Sequence, residues 1–254
     1  MNNDKLATIK LVEPNKNKFP DNPNIIFVFP DQLGAEVLNC YGNEDVISPN
    51  INKFVEEGLL FERAYTASPV CTPFRGTLFT GRYPSQTGVK GKGMRLPHSE
   101  LTLPELFGQG GYLTSYLGKW HLSGQPGGNR PIPAEERAGF EDFIAWESHH
   151  VDHWQGLIFA DGNQDLEGFN TIRCSSDGSD LNVDNLDSNT VNSSNDDNYI
   201  KIKMEGHETD GLTELVCHKL NEIKDEQFCL FVSYQAPHPP STLPEEYLNL
   251  YKER

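Results

Sequence analysis

Three apolar runs, each followed within a few residues by polar side chains, constrain the fold of this chain more than any other feature. They cover residues 24–29, 113–117 and 228–234, and each has the length and the aromatic or β-branched content of a buried strand. Helical patterns separate the runs, and strands that alternate with helices are typical of an α/β sheet. Such sheets bind ligands beyond the carboxyl ends of their strands. The sequence therefore predicts an α/β fold with its site along one sheet edge.

Capping residues and apolar spacing predict three helices. One covers 49–57, begins with proline and is closed by Gly58. A second follows Thr102, whose side chain can cap a helix that ends at a glycine pair. A third covers 211–223, where apolar residues recur on one stripe. A further strand is predicted over 59–64.

Charge and composition exclude several classes of function. The 254 residues include 37 acidic and 21 basic side chains, and the formal net charge of −16 disfavours binding to nucleic acid or to an anionic membrane. No apolar run is long enough for a transmembrane helix. The N-terminus lacks the apolar core of a secretory signal, so a cytoplasmic protein is expected unless a leader was removed. Five cysteines without a Cys-x-x-Cys pair disfavour a zinc or disulfide scaffold.

The chain divides into an extension and one domain. Residues 1–23 are interpreted as an N-terminal extension, and 24–254 as a single catalytic region. Within it, residues 161–200 are rich in Asp, Asn, Ser and Gly and show no sustained period. That stretch is predicted to be a polar surface insertion.

The segment Cys71-Thr72-Pro73-Phe74-Arg75-Gly76 has the clearest chemical pattern. Pro73 suits the first position of a helix, so Cys71 is predicted to lie just before a helix start. The unpaired N–H groups and the positive dipole end of that helix favour an anion there. Arg75 has a planar fork of donors that matches sulfate or phosphate oxygens. A nucleophile beside an anion site indicates an ester hydrolase.

Two ordered motifs resemble those of the sulfatase family of the alkaline phosphatase superfamily. The pattern of Cys71, Pro73 and Arg75, followed by Thr-Gly-Arg at 80–82, is similar to the modification signature of that family, and Gly-Lys-Trp-His at 118–121 is similar to its second signature. The resemblance continues in family order at Asp31, 48–51, 139–140 and 236–238. It implies an alkaline phosphatase-like fold, with a mixed sheet between helices, and a sulfuric ester hydrolase.

The resemblance also implies catalytic roles. Cys71 would be converted to formylglycine by a formylglycine-generating enzyme; one hydroxyl of its hydrate attacks sulfur, and loss of the second proton expels sulfate. Arg75 would steady the hydrate. Lys119 and His238 would neutralise the sulfate oxygens and the leaving oxygen, and His121 is the candidate base. The expected substrate is a small-molecule or carbohydrate sulfate ester.

A divalent cation, usually calcium, is implied as well. Its ligands here would be Asp31, Gln32 and the modified Cys71, because a hard cation prefers oxygen. Many relatives have a second aspartate at the position of Gln32, whose amide oxygen brings one less negative charge. The remaining ligands of the family and a further lysine come from a later segment, with no counterpart before Arg254. The chain is therefore expected to be truncated, with an incomplete metal site.

Two stretches are predicted to contact the substrate. The loop at 88–95 is the most basic part of the chain and suits a polyanion, and the aromatic and histidine-rich patch at 146–154 lies where the family varies in specificity. A solvated loop and a transition-metal site at the histidines are the open alternatives. The candidate contacts are Lys90, Lys92, Arg95, Trp146, His149, His150 and His153.

Two other functions stay open. A phosphonate monoester or phosphodiester hydrolase would use the same modified cysteine with a different pocket. A catalytically incomplete fragment or binding module would keep the front half of the fold without a full site.

Overall fold

The computed structural model describes residues 22–125, 130–147, 153–181 and 198–252. Seven strands of the described residues form one sheet: β1 (Ile25–Pro30), β2 (Leu113–Lys119), β3 (Asp142–Trp146), β4 (Leu157–Asp161), β5 (Thr171–Cys174), β6 (Tyr199–Lys203) and β7 (Phe228–Tyr234). The α-helices are α1 (Pro49–Glu57), α2 (Cys71–Thr80), α3 (Pro84–Thr87), α4 (Leu103–Gln109), α5 (Glu208–Ile223) and α6 (Glu245–Asn249). Short 3-10 turns cover Ala35–Val37, Asn39–Tyr41 and Ala134–Glu136.

The sheet is mixed, and its parallel part positions the site. The strand order is β1-β7-β2-β3-β4-β6-β5; the first four strands are parallel neighbours, and the last three are paired antiparallel. The carboxyl ends of β1, β7 and β2 therefore lie side by side at one edge. This arrangement confirms the predicted α/β class and the predicted mixed sheet.

The capping residues predicted the positions of α1 and α4 correctly. Helix α1 has the predicted bounds, with Ser48 as N-cap and Gly58 as C-cap. At the start of α4, the Thr102 side chain accepts from the N–H of Glu105, whose carboxylate accepts from the N–H of Thr102 at 2.8 Å. This reciprocal capping box satisfies two donors that a helix start leaves unpaired. Helix α5 begins at Glu208, three residues before the predicted start.

Hydrophobic clusters cover both faces of the sheet. On β7, Leu230 and Val232 belong to a cluster with Leu215 of α5, whereas Phe231 belongs to a second cluster with Phe79 of α2. Successive strand residues point to opposite faces, so one strand supplies both clusters. The sheet is thus covered by α5 on one side and by α2 on the other.

Several sequence predictions are wrong in detail. No strand forms over 59–64, and β3 was not predicted. Helix α2 begins at Cys71 itself, with Val70 as N-cap, so Pro73 is the third helical residue. Strand β1, predicted to be buried on both faces, lies at the sheet edge, and its Ile26 and Val28 side chains are 51% and 57% exposed. An edge strand has a neighbour on only one side, which explains this exposure.

The polar stretch at 161–200 contributes partly to the sheet. Strand β5 lies within it, and β6 begins at its end; the two strands pair antiparallel and extend the sheet beyond β4. Leu166 and Cys174 are buried there. Residues 182–197 lie outside the described residues. In the part of the chain described, no helix has the length and apolarity needed to cross a membrane.

We predict that Gly118→Ala lowers the free energy of unfolding by about 3 kcal/mol or more. A Cβ at Gly118 would lie 2.1 Å from the carbonyl oxygen of Ser233 on β7, and the φ angle of +112° is unfavourable for alanine. Urea unfolding measures the effect. Gly108→Ala in α4 is the matched control, since its Cβ would meet only a side-chain oxygen at 3.6 Å. Equal effects of the two substitutions would contradict the role of Gly118.

Candidate active site

A cleft of about 660 Å³ opens at the sheet edge where β1 and β7 end. Asp31 and Gln32 follow β1, Cys71 lies at the start of α2, and His238 follows β7. These residues are distant in the sequence, and the parallel strands bring them together. Six of the predicted site residues line the cleft: Asp31, Gln32, Cys71, Arg75, Lys92 and His238.

A buried ion pair lies beside the cleft. The Nζ atom of Lys119, the last residue of β2, is 2.5 Å from Oδ2 of Asp31, and the Lys119 side chain is fully buried. Burial by itself raises the pKa of the Asp31 carboxyl, but the positive charges of Arg75 and Lys119 outweigh it and hold that pKa below its ordinary value. Asp31 is therefore a carboxylate at neutral pH.

The side chain of Arg75, on α2, is held by several hydrogen bonds. Its Nη1 donates to the hydroxyl of Tyr116 at 3.0 Å, to the carbonyl of Lys119 at 2.6 Å and to the hydroxyl of Ser233 at 2.8 Å. Its guanidinium carbon lies 5.1 Å from the ring centroid of Phe29. Its buried Nε atom has no hydrogen-bond partner among the described residues. The guanidinium is thus fixed at one end and keeps donor capacity at the cleft.

Cys71 lies at a helix start that no side chain caps. Val70, the N-cap of α2, supplies no side-chain acceptor, so the first N–H groups remain available to an anion. The hydroxyl of Thr72 accepts from the N–H of Gly93 at 3.3 Å. That bond joins the start of α2 to the loop that carries Lys92. Cys71 is partly buried and lines the cleft.

Two predicted site residues have unfavourable backbone conformations. Gln32 has a φ of +64° and His121 a φ of +58°, in the left-handed region that few residues other than glycine adopt, although histidine adopts it more readily than glutamine. Each costs on the order of 1 kcal/mol, which is typical of functional positions. Gln32 lines the cleft. His121 is buried, and it is not among the described residues that line the cleft.

Four predicted substrate contacts lie away from the cleft wall. Arg95 forms an ion pair with Glu136 at 2.9 Å, and Lys90 does not line the cleft in the described structure. Trp146 and His153 are each 1% exposed, and neither lines the cleft in the described structure. Trp146 ends β3 and packs in the core, because β3 lies inside the sheet. His149 and His150 lie outside the described residues.

The oxygen donors at the cleft suit a hard cation, although they are few. Asp31 offers a carboxylate and Gln32 an amide oxygen in the cleft that Cys71 also lines. Calcium takes six to eight oxygens, so these residues supply only part of a coordination sphere. Across the residues that the structure describes, no group of three or more His, Cys, Asp or Glu side chains is arranged to hold a metal.

Sequence reasoning missed a buried carboxyl near the site. Glu147, directly after β3, accepts from the N–H of Ser123 at 3.1 and 3.3 Å and thereby holds the segment that follows His121. Burial raises the pKa of Glu147 from its ordinary 4.5 to about 7, and the hydrogen bonds from Ser123 oppose this only in part. No local sequence pattern indicated that Glu147 is buried, since β3 itself was not predicted.

The Sulfatase family model matches residues 23–254. The chain belongs to the sulfatase family. It is 32% identical over 234 residues to the uncharacterized sulfatase YidJ of Escherichia coli (strain K12), a match over 91% of this chain and 41% of that protein. It is 38% identical over 131 residues to the ulvan-active sulfatase of Formosa agariphila, covering 52% of this chain and 25% of that relative.

Solved structures confirm the alkaline phosphatase-like fold of this sulfatase chain. The structure of yidJ from Bacteroides fragilis has a TM-score of 0.70 at 24% identity, and covers 91% of this chain and 48% of its own. BT4656, in complex with its substrate D-glucosamine-2-N,6-O-disulfate, has a TM-score of 0.61 at 22% identity. The match covers 91% of this chain and 38% of BT4656. The chain thus spans less than half the length of these relatives.

We predict that Glu147 makes stability depend on pH. Between pH 4.5 and about 7 the folded state holds a proton on Glu147 that the unfolded state has lost, so the free energy of unfolding falls as pH rises and levels off above about 7. Glu147→Gln keeps an acceptor for Ser123 and has no titrating carboxyl. It is therefore expected to remove the fall of up to about 3 kcal/mol in the free energy of unfolding over this pH range. Urea unfolding across this range measures it.

The exposed Glu141 supplies the matched control for this prediction. Glu141→Gln removes one carboxylate just before β3 and is expected to leave the pH curve of stability unchanged. Parallel curves for the wild type and Glu147→Gln would show that Glu147 does not titrate in this range.

Proposed function

We propose that this chain forms the nucleophile-bearing part of an active site that hydrolyses sulfate esters, with Cys71 converted to formylglycine. The observation that carries the proposal is the shared cleft: Cys71 begins an uncapped helix and lines the same wall as Asp31, Arg75 and His238. Lys119 completes the group through its bond to Asp31. One nucleophile position, two fixed cations and a histidine suit the cleavage of an anionic ester.

Local charge supports an anionic substrate. Arg75 and Lys119 carry two positive charges against one negative charge on Asp31, so this group is net positive in a protein whose formal net charge is −16. Both cations are buried, and buried charges are screened less by salt than exposed ones. A sulfate group is therefore attracted to this cleft rather than to the acidic surface.

His238 is the proposed partner of the leaving oxygen. Its Nδ1 lies 2.7 Å from the carbonyl oxygen of Pro239, and a carbonyl oxygen only accepts, so Nδ1 carries a hydrogen. In the protonated ring, Nε2 also carries one and can give it to the alcohol as the S–O bond breaks. His121 follows Lys119 by two residues, and we propose that it is the base that accepts the proton released when sulfate leaves.

Two groups would add chemistry that the unmodified side chains lack. Formylglycine supplies, as its hydrate, one hydroxyl that attacks sulfur and a second whose proton loss expels sulfate. Asp31 and Gln32 would hold a divalent cation, proposed to be calcium, which supplies positive charge beside the anionic oxygens. Arg75 and Lys119 orient the sulfate, and the uncapped start of α2 holds the nucleophile position.

We propose a sulfated carbohydrate as the substrate. The sugar disulfate bound by BT4656 and the ulvan-active relative support this class. The cleft is also lined by the polar side chains of Glu36, Thr66, Ser68 and Lys92. Hydroxyl, amine and carboxylate groups of this kind suit the hydroxyls of a sugar.

We predict that Cys71→Ala abolishes hydrolysis of an aryl sulfate, with a loss of at least about 1000-fold in kcat. The chain is co-expressed with a formylglycine-generating enzyme, and mass analysis of the tryptic peptide that contains residue 71 is expected to show an aldehyde in place of the thiol. Cys217→Ala is the matched control, since Cys217 is exposed on α5, and it retains activity.

The outcomes separate the rival functions. A clear preference for an aryl phosphonate over an aryl sulfate would favour a phosphonate hydrolase. An unmodified Cys71 in a host that has the modifying enzyme, together with no turnover, would favour a fragment or binding module.

We predict that Gln32→Asp tightens calcium binding by about tenfold, because affinity rises with the number of charged ligands. Gln32→Asn is the matched control: it has the shape of the aspartate without its charge, and both residues tolerate the positive φ of this position. Calorimetric titration with calcium compares the two variants. Equal affinities would overturn the assignment of Gln32 as a ligand.

A further inference from the structure

The loop at 235–242 carries His238 and has few backbone donors of its own. Proline occupies positions 237, 239 and 240, and proline has no N–H. Two of the internal hydrogen bonds of the loop run from the N–H of His238 to Gln235 and from the N–H of Thr242 to Pro240. A loop of this composition needs partners from outside to keep one conformation.

Two histidines hold the carbonyl oxygens of this loop. The Nε2 of His153 lies 3.0 Å from the carbonyl oxygen of His238, and the Nε2 of His207 lies 3.2 Å from that of Thr242. Because carbonyl oxygens only accept, both Nε2 atoms carry hydrogens. The two rings stack, with centroids 5.2 Å apart and planes inclined by 22°. Together they form one unit that contacts the loop at two points.

The other ring nitrogens fix the two imidazoles. Nδ1 of His207 accepts from the N–H of Thr209 at 3.3 Å, so His207 caps α5 as a neutral ring. Nδ1 of His153 lies 2.8 Å from Oε1 of Glu208, and one proton shared between these two atoms satisfies both. The backbone N–H of Glu208 donates to the carbonyl of His153 at 2.7 Å. The helix start and the segment at 153 are therefore joined twice.

Burial makes this arrangement rigid. His153, His207 and Glu208 are all nearly inaccessible to solvent, and an edge contact with Trp154, with ring centroids 5.4 Å apart, covers His207. Burial raises the pKa of Glu208, and the hydrogen bond from His153 opposes that rise. A buried polar network that is fully paired resists motion, because breaking any bond leaves a polar atom unpaired.

We propose that His153, His207 and Glu208 act as a clamp that positions His238 for reaction. They are positioning residues, since they contact the backbone of the loop and do not line the cleft in the described structure. The clamp rests on the proposed function for its catalytic consequence, and on geometry alone for its effect on the loop. It also gives His153 a role different from the substrate contact that the sequence indicated.

The decisive variant is His207→Asn. An asparagine at 207 can still cap α5 with its amide oxygen, but it is too short to reach Thr242, so one contact is removed while the helix keeps its cap. Hydrogen exchange of the full chain, read by mass spectrometry, is expected to rise about tenfold in 238–242 and to stay unchanged elsewhere. With an aryl sulfate, kcat is expected to fall about tenfold while KM changes less than about twofold.

His218→Asn is the matched control. The Nε2 of His218 also donates to a backbone carbonyl, that of Asp165 at 2.9 Å, but on a different part of α5. It is expected to leave both the exchange of 238–242 and kcat unchanged. Glu208→Gln, whose amide can donate to Nδ1 of His153, is expected to retain the clamp, whereas Glu208→Ala is expected to match His207→Asn.

Each outcome decides the proposal. Unchanged exchange in 238–242, or an increase spread over the whole chain, would overturn the clamp. Faster exchange in the loop with an unchanged kcat would show that the clamp does not position His238 for the reaction. If Cys71 stays unmodified and the wild-type chain shows no turnover, the proposed function fails, and the exchange of the loop still tests the clamp by itself.

Discussion

The buried ion pair between Lys119 and Asp31 is the interaction on which the site depends. Lys119 ends β2 and Asp31 follows β1, and β7 lies between these strands, so the pair ties the edge of the sheet to its centre. Removing one partner of a buried pair leaves the other charge unpaired, at a cost of about 3 to 5 kcal/mol. Arg75 adds a second cation, and its Nη1 binds the carbonyl of Lys119. The three charged groups therefore form one structural unit.

This unit also concentrates positive charge in a protein whose formal net charge is −16. The carboxylate of Asp31 pairs with Lys119, and the charges of Arg75 and Lys119 hold the pKa of Asp31 below its ordinary value, so the three groups together carry one net positive charge. The aromatic residues beneath it hold the geometry: Phe79 and Trp120 are both fully buried and stack with centroids 5.4 Å apart. Side chains in such a core have little freedom to move, so the charges above them have defined positions.

The segments that follow the parallel strands all need hydrogen-bond partners for their backbone. A chain that leaves a sheet loses its ladder hydrogen bonds and needs other partners for its backbone. Glu147 holds the segment after β2 at Ser123, and His153 holds the segment after β7 at His238. Asp31, after β1, donates its N–H to Tyr234 on β7. Buried polar side chains thus hold the segments after β2 and β7, and a backbone hydrogen bond holds the start of the segment after β1.

The sequence by itself determined helices α1 and α4 and the strands β2 and β7, because caps and apolar runs are patterns of neighbouring residues. The alternation of strands with helices also predicted a shared edge at which the strands end. Only the tertiary structure decided that β1 is an edge strand, that the polar stretch at 161–200 contributes to the sheet, and that Trp146 is buried. It also decided the position of His153, whose hydrogen-bond partner Glu208 is 55 residues away in the sequence. Burial and pairing depend on partners that are distant in the chain, so no local pattern contains them.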